Sequence, residues 1–234
     1  STPKPSSAAS DVYKRQNLLQ TSRHTVFSTW EWLSTWWKHF GKDKKLILLL
    51  VKNNEKIVGI APLMYSVHKM FGLRMGKIEF IGTPDSDYND FIIAEKHEKC
   101  IKLLINYLIN LPEKWDCIDL KDIPENSNSL PCLKKFSKKI TTLHECPYIL
   151  LPDSYRKFLM TLSRNQRKNI YRTSRRLQER FQVKITDHSG VNSFHEGMQV
   201  LIDLHQKRWR SRGFPGIFAD ERVRKFNIDI AKIF

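Results

Sequence analysis

The chain has 234 residues, 41% of them hydrophobic, with 40 Lys and Arg against 24 Asp and Glu and a formal net charge of +16 at pH 7. That is ample apolar content for a core in one large domain or two small ones, and the excess of cations points to anionic partners. The longest apolar run, residues 46–51, falls far short of the roughly 20 residues that cross a bilayer, which excludes a transmembrane helix. Cys100, Cys117, Cys132 and Cys146 are too widely spaced for a Cys-x-x-Cys clip and no His pair has ligand spacing, so no metal is expected and the thiols read as reduced, in the cytoplasm.

Residues 1–16, STPKPSSAASDVYKRQ, lack the apolar stretch of a signal peptide and resemble translated adaptor sequence, so they are set apart from the fold. Ser28 and Glu31 are spaced as a capping box, Phe27 and Trp32 as a hydrophobic staple and Gly41 as a stop, which frames a helix over 29–40. Its tryptophans Trp30, Trp32, Trp36 and Trp37 cover more than one face and read as core packing. Residues 46–52 and 56–67 are strand-like, and Asn53 and Asn54 between them tolerate the positive φ of a tight hairpin. Residues 77–81 make a third strand, and 91–93 a fourth after the polar loop GTPDSDYND. Ile101, Leu104, Ile105, Leu108 and Leu111 recur at helical spacing over 97–111, and Pro112 ends the pattern. Strand 117–120, helix 129–137 and strand 140–150 complete a first unit over 17–151.

After Pro152 the chain turns basic and helical, which marks a second unit over 152–234. A short helix covers 153–162, and LSRNQRKNIYRTSRRLQERF follows with seven Arg and Lys in 162–181. Ser163 and Gln166 form a capping box that starts a helix over 163–180. At about 100° per residue, Ile170, Ser174, Leu177 and Phe181 share a narrow face. Arg164, Lys168, Arg172, Arg175, Arg176 and Arg180 spread over the other, with Tyr171 between Arg164 and Arg167. Glu179 is the single acid in the helix, and like charges at i,i+4 cost a few tenths of a kcal/mol each, so an anion, solvent or acids elsewhere in the fold must answer the cations. A strand at 183–186, a long helix over 194–212 announced by Ser193 and Glu196, and a helix over 220–234 without a closing cap follow. The second unit opens without finishing, as in a fragment of a longer reading frame.

Two places carry groups for chemistry. Asp85, Asp87, Tyr88 and Asp90 sit on a loop at a strand end, where side chains of a rigid sheet reach a ligand, although solvated loop acids have the same pattern. Their spacing lacks the glutamate that closes a calcium loop. His205, Arg208 and Trp209 lie near a helix C-terminus that favours cations, before the bend of Gly213, Pro215 and Gly216. No Walker loop, dinucleotide glycine pattern or Ser-His-Asp order is present, which leaves His205, Asp87 and Asp90 as candidate bases. Tyr88, Arg164, Arg167, Lys168, Arg172, Arg175, Arg208 and Trp209 are the candidate substrate and anion contacts.

Taken in order, WEWLSTWWKHFG, GIAPLMYS, DYNDF, WDCIDLKDIPENS, LSRNQRKNIYRTSRRL and LHQKRWRSRGFPGIFAD resemble the CelD-like group of GNAT-superfamily acyltransferases. That group is associated with cellulose and other envelope polysaccharide synthesis and is related in plan to the FemAB peptidyltransferases. The resemblance runs from about residue 27 to 234. It implies an α/β (α+β) fold of two GNAT-like units, the first a mixed, largely antiparallel sheet flanked by helices and the second represented by its helical start. It implies N- or O-acyl transfer from acetyl-CoA or another acyl-CoA to an amine or hydroxyl acceptor, in a cleft lined by residues 87–90, the basic helix and residues 205–209. The Gln/Arg-x-x-Gly-x-Gly/Ala loop that grips the donor pyrophosphate at a helix start is absent, so the acyl-CoA site is expected mostly outside this chain, and the chain alone inactive. Read from the basic helix and net charge alone, the alternative is a nucleic-acid-binding module, and a weaker third reading is docking on an anionic membrane.

Overall fold

Residues 18–234, apart from 113, 189, 191 and 192 and the side chain of Met70, are described in this computed structural model, and the expectation for residues 1–16 lies outside them. Two compact units emerge. One takes the described residues up to Thr141 together with Leu201–Phe234, and the other is Thr142–Val200.

The sheet of the first unit grows from the hairpin around Asn54, whose φ of 53° lets β1 (Lys45–Asn53) turn into β2 (Lys56–Met70). Leu46 lies opposite Met64 and Leu50 opposite Ile60. A second tight turn, with positive φ at Phe71 and Gly72, returns the chain as β3 (Leu73–Phe80), which therefore begins four residues before the strand that the apolar pattern predicts. β3 ends opposite Leu63, and β4 (Ile92–Ile93) pairs with Gly59 and Ile60. Because β1 occupies the other side of β2, β3 and β4 lie end to end along one side, and residues 81–91 loop out between them. β5 (Cys117–Ile118) runs parallel to β3.

The two-residue period of the strands sends alternate side chains to opposite faces. Ala61, Leu63, Ile78 and Phe80 meet Ile101, Leu104, Ile105 and Leu108 of α2 (Lys99–Ile109) and Leu133 of α3 (Leu130–Phe136). In a separate cluster Met64 and Ile81 pack with Leu33 and Trp36 of α1 (Trp30–Phe40), and with Phe226 and Ile230 of α7 (Glu221–Ile233). This mixed, largely antiparallel sheet flanked by helices is the architecture that the resemblance implies.

The cap of α1 is Thr29, whose Oγ1 accepts the Trp32 N–H at 3.3 Å. Ser28 lies instead in the 3-10 turn Val26–Ser28 and is buried, so the cap falls one residue after the Ser28–Glu31 pattern. The Phe27 and Trp32 rings do meet, edge-on at 4.8 Å. A Cβ on Gly41 would sit 2.6 Å from Trp37, so the stop needs glycine for space, its backbone at φ −80° being one that any residue adopts. Trp36 is 1% exposed and Trp30 45%, which restricts the expected core role to part of the tryptophan set.

In the second unit, α4 (Tyr155–Thr161) is capped by Ser154, and α5 (Arg164–Arg180) begins with the predicted box. Ser163 N–H donates to Gln166 Oε1 at 2.9 Å and Gln166 N–H to Ser163 Oγ at 3.2 Å. Leu159 alone is buried among the described residues of this unit. The strands expected at 140–150 and 183–186 are irregular instead, with Leu150 83% and Ile185 93% exposed. A strand pattern expresses a fit to a neighbouring edge, and neither segment has one among the described strands. α6 (Phe194–Arg210) starts in this unit and ends in the first.

Candidate functional site

The last turns of α6 and the bend behind them form the most specific polar arrangement that the sequence pointed to. Gln206 is buried and donates Nε2–H to the Pro215 carbonyl at 2.9 Å. Its Oε1 lies 3.2 Å from His205 Nδ1. Gly216, at φ 74° and ψ 155°, admits this amide, since a Cβ there would stand 2.4 Å from Gln206 Oε1. The His205 ring is edge-on to Phe218 at 4.9 Å and tilted against Trp209 at 6.0 Å, while Trp209 meets Phe214 at 5.9 Å. With the Nδ1 proton directed at Gln206, the Nε2 lone pair is left to accept a proton, which is the geometry of a held imidazole base. Arg208, one residue before Trp209, is exposed. Gln206 carried no sequence signal beyond its place beside His205, because only the bend nine residues on makes it a buried amide.

The loop between β3 and β4 is held from inside. Gly82 has φ 102°, the Thr83–Pro84 peptide is cis, and the Gly82 carbonyl accepts the N–H groups of Asp85 at 2.6 Å and Ser86 at 2.9 Å. From α1, Trp32 Nε1–H donates to Ser86 Oγ and Trp36 Nε1–H to Asp85 Oδ2, each at 2.8 Å. Burial pushes the Asp85 carboxyl above its ordinary range, the Trp36 bond opposes this, and the charge of Asp220 adds to it. Asp90 accepts the Ser127 hydroxyl at 2.5 Å and the Phe91 N–H at 2.8 Å. Burial raises its pKa too, against the Ser127 and Ser129 hydrogen bonds. Asp87 is exposed, and Tyr88 is half-buried with its ring 6.1 Å from that of Phe27. Thus two of the three loop carboxylates tie the loop to its surroundings. The indole donors that hold Asp85 and Ser86 escaped the sequence reading, although a buried Trp N–H calls for a partner.

In the second unit the cations of α5 divide by partner. Arg167 donates to the carbonyls of Leu159 at 3.3 Å and Leu162 at 2.6 Å, closing the C-terminus of α4. Arg172 donates to Asn169 Oδ1 at 2.5 Å, and Arg175 pairs with Glu179 at 3.3 Å. Arg164, Lys168, Arg176 and Arg180 are exposed and have no hydrogen-bonded or ion-paired side-chain partner among the described residues. Leu162, Gln166, Asn169, Ile170, Thr173 and Ser174 line an open groove on another side of the helix.

A polar cluster that the sequence did not announce joins β2 to β3, where Ser66 Oγ–H donates to the buried Glu79 at 2.5 Å and His68 Nε2 stands 2.9 Å from both. One imidazole nitrogen faces both partners, so this is a cross-strand tie and not a nucleophile, base and acid in series.

Residues 164–234 match the family model described as an acetyltransferase (GNAT) domain. The match begins at the basic helix and takes in His205, the glycine bend and α7, and it supports the GNAT superfamily, acyltransferase activity and an acyl-CoA donor with an acceptor. No curated protein and no solved structure matches the chain. No described helix is long and apolar enough to cross a membrane, and among the described residues no group of three or more His, Cys, Asp or Glu is placed to hold a metal ion.

Proposed function

We propose that this protein is an acyl-CoA-dependent N- or O-acyltransferase of the CelD-like group, acting in the cytoplasm in cell-envelope or exopolysaccharide synthesis. The acetyltransferase match over 164–234 carries the reading, and the ordered motifs from residue 27 onward support its CelD-like part. The acceptor amine or hydroxyl attacks the thioester carbonyl, His205 Nε2 takes the acceptor's proton, and the tetrahedral adduct collapses to the acyl product and the CoA thiolate. Gln206 directs that nitrogen, and Trp209 and Phe218 shield the ring. Asp87 is the second candidate base because it is exposed, whereas both oxygens of Asp90 already accept hydrogen bonds. Tyr88 serves the acceptor, and Arg164, Arg167, Lys168, Arg172, Arg175 and Arg208 supply cations for anionic groups, Arg167 only on releasing its carbonyls.

The sequence contains no Gln/Arg-x-x-Gly-x-Gly/Ala loop, so acetyl-CoA is expected to bind this chain weakly, with a Kd on the order of 1 mM, about 4 kcal/mol of binding free energy. Titration calorimetry with acetyl-CoA and a thiol-release assay test this. Binding tighter than about 1 μM contradicts a donor site mostly outside these residues. Absence of binding heat at acetyl-CoA concentrations well above about 1 mM counts against acyl-CoA chemistry on this segment, whereas no thiol release is expected of the chain alone.

A further inference from the structure

The four α5 cations without side-chain partners are not scattered. Arg164 and Lys168 lie in its first turns, and Arg176 and Arg180 in its last. At 1.5 Å per residue the two pairs stand about 18 Å apart along the axis. At about 100° per residue they are separated by roughly 120° around it. Arg172, bonded to Asn169, projects from the middle of the same broad face. Ile170, Leu177 and Phe181 fall on the far side, roughly 160° from Arg172.

This arrangement discriminates between anions. An anionic bilayer needs cations flanking the apolar sector, at the level of the headgroups, whereas Arg164, Lys168 and Arg176 lie roughly 120° or more from its centre and Arg180 alone of the four flanks it. The phosphates of one coenzyme reach one pair and leave the other unanswered. A groove walled by phosphates on two sides meets both pairs at once. The major groove of B-form DNA, about 12 Å wide, admits a helix of about 10–12 Å diameter. The deep, narrow A-form major groove does not. We propose that α5 docks in the major groove of duplex DNA, with Arg164 and Lys168 on the phosphates of one strand, Arg176 and Arg180 on those of the other, and Arg172 with Asn169 toward the base edges. The inference draws on α5 alone and shares Arg164, Lys168 and Arg172 with the acyltransferase reading, but its test does not depend on that reading.

The whole chain is titrated by fluorescence anisotropy against a labelled 20-base-pair DNA between 50 and 200 mM NaCl, beside duplex RNA of the same length and vesicles containing phosphatidylserine. With about 0.9 of log–log salt slope per phosphate contact, the wild type is expected to be steeper by about 3.6 than the variant R164Q/K168Q/R176Q/R180Q, and each paired variant should remove about half of that. The quadruple variant should also bind more than 10-fold more weakly at 100 mM salt. A charge-preserving variant, R164K/R176K/R180K, retains the wild-type slope and shows that charge, not helix content, is being read. The proposal is overturned if the DNA gives no anisotropy change at 50 mM, if the quadruple variant binds as the wild type does, or if duplex RNA or vesicles bind at least as tightly as DNA. Failure to bind acetyl-CoA leaves every one of these outcomes unchanged.

Discussion

Truncating Phe226 to Ala tests whether α7 belongs to the core beside α1. The ring is 3% exposed and lies edge-on to Trp32 at 5.2 Å and Phe40 at 5.5 Å, in one cluster with Leu33, Trp36, Met64, Ile81 and Ile230. Loss of a buried phenyl ring combines its transfer free energy with a cavity term, about 3–5 kcal/mol in total. Aromatic pairs add roughly 0.5–1.5 kcal/mol beyond area, which places the expected value in the upper half of that range. Equilibrium urea unfolding followed by tryptophan fluorescence measures it, since Trp32 reports from the ring's own surroundings. Phe181→Ala on α5 is the matched control. That ring is 64% exposed, so its loss should change stability by no more than about 0.5 kcal/mol. A loss under about 1 kcal/mol for Phe226→Ala, or an equal loss for Phe181→Ala, refutes the assignment of α7 to this core.

Gly216→Ala forces a side chain into a positive-φ position and against Gln206 Oε1, so a loss of order 1–3 kcal/mol is expected in the same unfolding assay. Gln206→Leu removes the acceptor beside His205 Nδ1, and nitrogen-resolved NMR of the imidazole should show the Nδ1–H tautomer losing population; an unchanged tautomer would sink the proposed orientation. For Asp85 the folded pKa is raised above the ordinary 3.8, so its contribution to stability is fully present below about pH 3.8 and is lost as pH rises through the folded value. Asp85→Asn keeps an acceptor for Trp36 Nε1 without the partly desolvated charge, and should therefore gain stability over the wild type near pH 7 and lose that advantage toward pH 3; the reverse trend contradicts the desolvation argument. Ser163→Ala should cost about 0.5–2 kcal/mol locally, read as faster amide exchange in the first turn of α5 with little change in global unfolding.

Elements written in short-range chemistry were legible. The Ser163–Gln166 box, the Asn54 hairpin and the apolar stripe of 99–109 each depend on residues within a turn or two of one another, and the structure has all three. The competition between Ser28 and Thr29 for the cap of α1 was not legible, because burial of Ser28 decides it. Segments 140–150 and 183–186 carry strand-forming residues without an edge to pair with, and in their absence extended propensity produces exposed irregular chain.

The same division runs through the candidate groups. Charge and spacing along the chain were sufficient to place a basic helix, an acidic loop and an imidazole near a helix end, since helical periodicity and capping are local. Which of those groups remain open is set by partners outside their own element, some near in sequence and some far. Trp36 reaches Asp85 across 49 residues, Ser127 reaches Asp90 across 37, and Pro215 fixes the glutamine that holds His205. Arg167, indistinguishable from its neighbours as a letter, is taken up by the end of the preceding helix, while Arg164 and Arg180 face outward. Hydrogen-bond satisfaction is a property of three-dimensional neighbours, so pattern named the candidates and only packing sorted those engaged in the fold from those left for a ligand.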